Sequence, residues 1–166
     1  MNSNSNLQRF WLVALRLLIG WHFLYEGLVK VLNPKWTSLG YLMDSQGWFA
    51  SVFHSMASNA GTLSVINFLN EWGLVLIGLS LILGLLTRLG CIGGILLLLL
   101  YYLSHPPFIG SEELFMMPRE GSYLWIDRNL IEIAALATLY VFPTSKTFGL
   151  DGLLGNLLKN KPTQSH

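Results

Sequence analysis

Apolar residues run almost without a break over four stretches: about 10–32, 65–86, 91–104 and 124–142. A helix needs about 20 such residues to cross the hydrocarbon of a bilayer, and the first, second and fourth stretches come close to or exceed that, while the third is shorter. The breaks between them are chemically distinct. Asn33-Pro34, His105-Pro106-Pro107 and Pro143 are helix stops, and Thr87-Arg88-Leu89-Gly90 reads as a tight hairpin turn. The pattern predicts an all-α integral membrane protein, an up-down four-helix transmembrane bundle forming one domain over 1–166. Residues 35–66 differ in kind. There Trp36, Tyr41, Trp48, Phe49, Phe53 and Met56 alternate with Asp44, Gln46, Ser51, His54 and Ser55. That stretch is too polar to span, and it predicts one or two short amphipathic helices lying at the interface between the first two spans. The 106–123 connection is polar and acidic, and Leu150–Leu158 reads as a short amphipathic tail.

Composition sharpens this picture. Of 166 residues, 52% are hydrophobic and 11% charged, and the mean hydropathy is +0.51. A soluble domain carries about a quarter charged residues, so the bilayer has to act as solvent for much of this surface. The net charge of +1, with no basic run, argues against nucleic acid as a partner. The single cysteine, Cys91, excludes an intrachain disulfide and a Cys-x-x-Cys redox pair. The first apolar stretch is too long and too interrupted by charge for a cleaved signal peptide, and reads as a retained span.

Within that first span lie Arg16, His22, Glu26 and Lys30, each expensive in lipid and so expected to face other helices or a wet cavity. At 100° per residue Arg16, Gly20, Phe23, Gly27 and Lys30 form one stripe, with Glu26 beside Lys30. The glycines allow a neighbouring helix to approach closely. His22 lies off this seam and reads as a hydrogen-bonded packing residue.

Alternating helices bring the end of the first span, the start of the second, the end of the third and the start of the fourth to one depth. Those places hold Glu26 and Lys30, Glu71, His105, and Arg128, Asn129 and Glu132. The opposite half holds Arg16, and Arg88 at the turn. Arg16, Arg88 and Arg128 are read as structural polar residues, with snorkelling an alternative for Lys30 and Arg128. Asp127 reads as an interfacial residue or helix cap. One cysteine and scattered histidines predict neither a metal site nor a haem. A cavity with carboxylates, a histidine and cations near one interface suits a quinone, which needs donors to its carbonyl oxygens and proton carriers. Glu26 and Glu132 are the candidate proton carriers, with Lys30, Glu71, His105 and Asn129 placed around the quinone oxygens. A purely structural network is the alternative for the same residues.

The spacing Arg16-x3-Gly20-x2-Phe23-x3-Gly27-x2-Lys30 resembles the first-helix signature of DoxX-like membrane proteins, relatives of DoxD, the small subunit of thiosulfate:quinone oxidoreductase. Glu71, Gly78, Gly84-Leu-Leu-Thr87-Arg88, Asn129 and Phe148-Gly149-Leu150-Asp151 continue the resemblance in order. It implies a four-helix protein of the bacterial inner membrane associated with quinone-linked redox reactions. It does not imply thiosulfate as substrate, and Glu26 and Glu132 look like additions to the common pattern.

Two functional classes follow. One is a subunit of a quinone-linked oxidoreductase system, taking electrons from a soluble or extracytoplasmic redox partner. The other is a non-catalytic membrane anchor or scaffold for a redox or stress-related partner. A proton-linked carrier is a third, weakened because only one side of the bundle is polar. The distribution of Lys and Arg favours both termini in the cytoplasm, which puts the polar level on the extracytoplasmic side. Electron donor, partner and oligomeric state are not encoded in any feature of the sequence.

Overall fold

Long runs of Leu, Ile, Phe and Trp without proline give the chain its helices, and glycines at the helix contacts decide how closely they pack. The computed structural model describes residues 3–107, 122–123, 125–145 and 149–152. Helix α1 spans Ser3–Val31, α2 Leu39–Met43, α3 Ala50–Ser58, α4 Ala60–Leu83, α5 Thr87–Ser104 and α6 Arg128–Val141. A short antiparallel pair, β1 (Ser122–Tyr123) and β2 (Ile126–Asp127), precedes α6, with Ser122 opposite Asp127 and Tyr123 opposite Ile126. The acidic residues of the 106–123 connection, Lys146, Phe148 and most of the predicted amphipathic tail lie outside the described residues.

Three helices, with spans at Ser5–Val31, Ala60–Leu83 and Thr87–Ser104, are long and apolar enough to cross a membrane. The fourth, α6, has 14 residues, about 21 Å at 1.5 Å per residue. Its predicted start near 124 is displaced because β1 and β2 turn the chain first. Asp127 then caps the helix by accepting from the Leu130 amide at 2.9 Å. The Tyr102 hydroxyl donates to the Trp125 carbonyl at 2.9 Å and ties this turn to the end of α5.

Two other boundaries move for local reasons. Helix α4 starts five residues before the predicted 65, because the Asn59 side chain accepts from the Thr62 amide at 3.0 Å and caps it. The predicted turn Thr87–Gly90 is instead the first turn of α5. The chain reverses over Gly84-Leu85-Leu86, with Gly84 and Leu86 both left-handed (φ 64° and 52°). The Ser80 hydroxyl donates to the Leu85 carbonyl at 2.7 Å, and the Leu86 amide donates to the Asp151 carboxylate at 3.0 Å. These bonds hold a non-glycine residue in a conformation that sterics disfavour by about 1–2 kcal/mol.

Neighbouring helices run antiparallel. A Cβ on Gly27 would lie 2.7 Å from the Val75 amide nitrogen, and one on Gly78 would lie 2.5 Å from that of Leu24. The backbones of α1 and α4 are therefore closer than any side chain permits, as the glycine seam predicted. One apolar core draws on α1 (Ile19, Phe23), α4 (Leu74, Ile77, Leu81), α5 (Cys91, Leu98) and α6 (Leu136, Leu139). A satellite cluster of Leu42, Phe53 and Ala57 packs α2 and α3 against Leu63 and Ile66 of α4. Of the one or two short helices expected within 35–66, two are present, and Trp48, Phe49, Val52 and Met56 are exposed on them and the turn between them.

Candidate functional site

On α1, His22, Glu26 and Lys30 follow one another at four-residue steps, a spacing that stacks side chains along one side of a helix. On α6, Arg128 and Glu132 have the same spacing and Asn129 lies beside them. The two helices run in opposite directions, so the two ladders meet rung for rung. His22 Nδ1 lies 2.7 Å from Glu132 Oε1. One turn further along α1 and one turn back along α6, Glu26 and Arg128 line the same cleft. Lys30 and Asn129 also line it, while Phe23, Leu74 and Leu98 form its apolar wall.

The cleft holds about 40 Å³, room for about three waters at 10–15 Å³ each by the same measure. At its inner end the Glu132 side chain is 15% exposed and that of His22 33%. Arg128 at its rim is exposed and Lys30 half-buried.

Lys30 does not close onto Glu26: among the described residues no ion pair joins them. Its ammonium donates to Asn70 Oδ1 at 2.9 Å, and Asn70 Nδ2 donates to the Tyr101 hydroxyl at 2.6 Å. The ammonium also lies 5.2 Å from the centre of the Trp36 ring and 5.7 Å from that of Tyr101. Glu71 sits on α4 within electrostatic reach of Lys30, as does Glu26, but Glu71 is not part of the cleft lining.

His105 is also elsewhere. At the end of α5 its ring packs against Tyr41 with centres 4.2 Å apart, and its Nε2 lies 3.6 Å from Asp44 Oδ2. Helix α2, folded over the end of α5, supplies Tyr41, and Asp44 follows at its C-terminal end. The Tyr41 hydroxyl donates to the Tyr101 carbonyl at 3.4 Å. Burial, with Tyr101 adding to it, pushes that hydroxyl above the ordinary tyrosine range, so it remains a donor at any physiological pH.

Of the sequence-derived candidates, the structure gathers Glu26, Lys30, Asn129, Glu132 and Arg128 around one cleft. It places Glu71 beside that group and His105 outside it. Tyr101 and Asn70 join the network without having been singled out, and His22, read from the sequence as a hydrogen-bonded packing residue, joins it through Glu132. For His22 the signal was available in the His22-x3-Glu26-x3-Lys30 spacing. Asn129 is held by its own turn, donating to Asp127 Oδ2 at 2.8 Å. Among the described residues no group of three or more His, Cys, Asp or Glu is arranged to hold a metal ion.

The remaining polar candidates lie at the other end. Arg16 is 3% exposed and donates to Thr144 Oγ1 at 3.1 Å, while Arg88 lies over the Tyr140 ring at 5.7 Å.

Comparison with known families decides what kind of chain carries this arrangement. The DoxX family model matches residues 11–106, more than half of the chain. The chain belongs to the DoxX family. It is a multi-pass membrane protein, with the lipid-facing apolar surface that three membrane-length helices require. The match takes in α1 to α5 and ends at Pro106, so the α6 half of the cleft lies beyond the stretch that identifies DoxX. Neither the curated proteins nor the solved structures contain a match.

Proposed function

We propose that this DoxX protein is the membrane subunit of a quinone-linked oxidoreductase system in a bacterial inner membrane, with four spans and both termini cytoplasmic. The quinone head group would take the cleft between α1 and α6. The observation that carries this reading is the His22–Glu132 pair: a hydrogen-bonded imidazole and carboxylate about 6 Å past the middle of the first span. A third of the imidazole is still exposed there, so a ring diffusing in hydrocarbon has a lateral approach to a proton-holding group. Glu26 and Glu132 serve as proton carriers, and Lys30 and Asn129 as donors to the carbonyl oxygens. Phe23, Leu74 and Leu98 offer the apolar wall against which a ring packs. At about 40 Å³ the cleft admits a ring only when side chains at its rim swing aside. Exposed Arg128 is the one with freedom to do so. His105, paired with Asp44, has no place in this arrangement.

The same small volume favours a second reading, a non-catalytic anchor in which the network locks α1 to α6 and the 35–66 connection recruits a partner. Binding of a short-chain quinone to purified protein separates the two, with wild type compared against Glu26→Gln and Glu132→Gln. Saturable binding weakened at least tenfold in either variant supports the quinone site. No saturable binding in the wild type, or identical binding and turnover in all three, leaves the anchor.

A further inference from the structure

The cleft has a floor, and the floor is dry. From Lys30 to His22 is eight residues of α1, about 12 Å along the helix axis, and polar side chains line that distance from both α1 and α6. Beneath His22 the next layer consists of Ile19, Leu81, Leu136 and Leu139, none more than 7% exposed. Arg16 appears only on the far side of this layer. The cleft is thus a blind shaft: polar and wide enough for about three waters above, sealed by close-packed hydrocarbon below.

Two carboxylates, Glu26 and Glu132, and two cations, Lys30 and Arg128, line the shaft, with Glu71 outside the lining but within electrostatic reach of Lys30. From α5 the neighbouring polar group is the neutral Tyr101 hydroxyl, and from α6 the neutral Asn129 amide. Among the described residues the carboxylate at the floor, Glu132, is paired with His22 and with no Lys or Arg, and an uncompensated charge away from bulk water is costly. His22 is the group able to cancel it. With its Nδ1–H donated to Glu132, the neutral imidazole keeps a lone pair on Nε2. A proton delivered by water binds there, the imidazolium stays paired with the Glu132 carboxylate, and the local charge becomes zero.

We infer that the His22–Glu132 pair is a proton-binding site at the bottom of a water-filled shaft whose aqueous mouth lies only on the side of the membrane bearing α2 and α3. This assignment needs no quinone. It stands or falls without one, and its test contains none, so its failure and that of the quinone site are separable.

Two measurements test it. Single cysteines at Glu26, Asn129 and Ile19 are exposed to a membrane-impermeant maleimide in right-side-out and inside-out vesicles. Trp48→Cys and Leu89→Cys report the two membrane faces, and fully buried Cys91 makes the parent protein a blank. Glu26→Cys and Asn129→Cys should label only from the Trp48 side and Ile19→Cys from neither. Labelling from the Leu89 side overturns the proposal. So does the absence of labelling at both Glu26 and Asn129 in protein that elutes as a folded monodisperse species. The second measurement is 15N NMR of the histidine side chains in nanodiscs, with His22 assigned by its loss in His22→Asn. Between pH 5 and 9 His22 should gain one proton at Nε2 while keeping Nδ1–H, and Glu132→Gln should weaken that binding about tenfold. An imidazole that stays in one state over this range, or that titrates identically in Glu132→Gln, overturns the assignment.

Discussion

Arg16 and Thr144 are 128 positions apart in sequence and joined by a 3.1 Å hydrogen bond from Nη1 to Oγ1. The guanidinium also packs beneath the reversal between α4 and α5, since a Cβ on Gly84 would lie 3.1 Å from Nη1. A first helix, a central turn and the segment after α6 are thereby fastened at one buried cation.

Arg16→Leu should therefore lower folded yield and melting temperature more than Arg16→Lys. Hydrogen bonds to a charged group are worth about 1.5–3 kcal/mol, and a lysine keeps the charge while losing the planar fork. Fluorescence-detected size exclusion after a heat ramp in mild detergent measures both. Equal behaviour of the two variants would assign Arg16 no more than a charge at the membrane surface.

Gly78→Ala should be far more damaging than Gly73→Ala. The added methyl at 78 would lie 2.5 Å from the Leu24 backbone nitrogen, whereas at 73 it meets nothing within 4 Å. Forced separation of packed helices typically costs about 1–3 kcal/mol, while alanine in an open helical position is favoured over glycine by up to about 1 kcal/mol. The expected order of thermal stability is Gly73→Ala at or above wild type and Gly78→Ala well below.

Asp127→Ala should destabilise α6 by about 1 kcal/mol through loss of its cap. It should also release Asn129, whose amide donates to the same carboxylate. Asp127→Asn keeps an acceptor for the Leu130 amide and should recover most of the stability. Thermal melts of these two variants beside Asn129→Ala, which loses the tether and keeps the cap, separate the two contributions.

If α6 crosses the membrane despite its length, reporters fused after residue 88 and after residue 166 should lie on one side, and a reporter after residue 45 on the other. A reporter after 166 on the side of residue 45 would make α6 a re-entrant or surface helix and remove the fourth span.

The helices and the glycine seam were legible because both depend on local rules. Apolar length predicts a span, and Gly20, Gly27 and Gly78 mark where backbones meet. The polar level was legible only as a depth. Glu26, Lys30, Asn129 and Glu132 share it and share the cleft, while Glu71 and His105 share the depth without lining it. Depth says nothing about rotation around a helix axis or about what folds over its end, and α2 takes His105 for Tyr41 and Asp44. His22 was discounted by a stripe chosen for contact with α4. The side of α1 that meets α6 is a different one, fixed by tertiary packing. The reversal at Gly84–Leu86 was hidden for a similar reason: its key bond comes from Asp151, 65 residues on.

That bond and the one from Arg16 also set an order of assembly. Synthesis proceeds at about 5–20 residues per second, so roughly 6–25 s separate the emergence of Arg16 from that of Thr144, 128 residues later. During that interval the arginine has to be carried by water or lipid head groups. The α4–α5 reversal likewise waits for Asp151 to receive its Leu86 amide. Thr144 is therefore a clasp that closes late on the first helix, and Asp151 one that closes on the α4–α5 reversal. Chains truncated just before Thr144 would meet the membrane's quality-control proteases with their earliest span still unfastened.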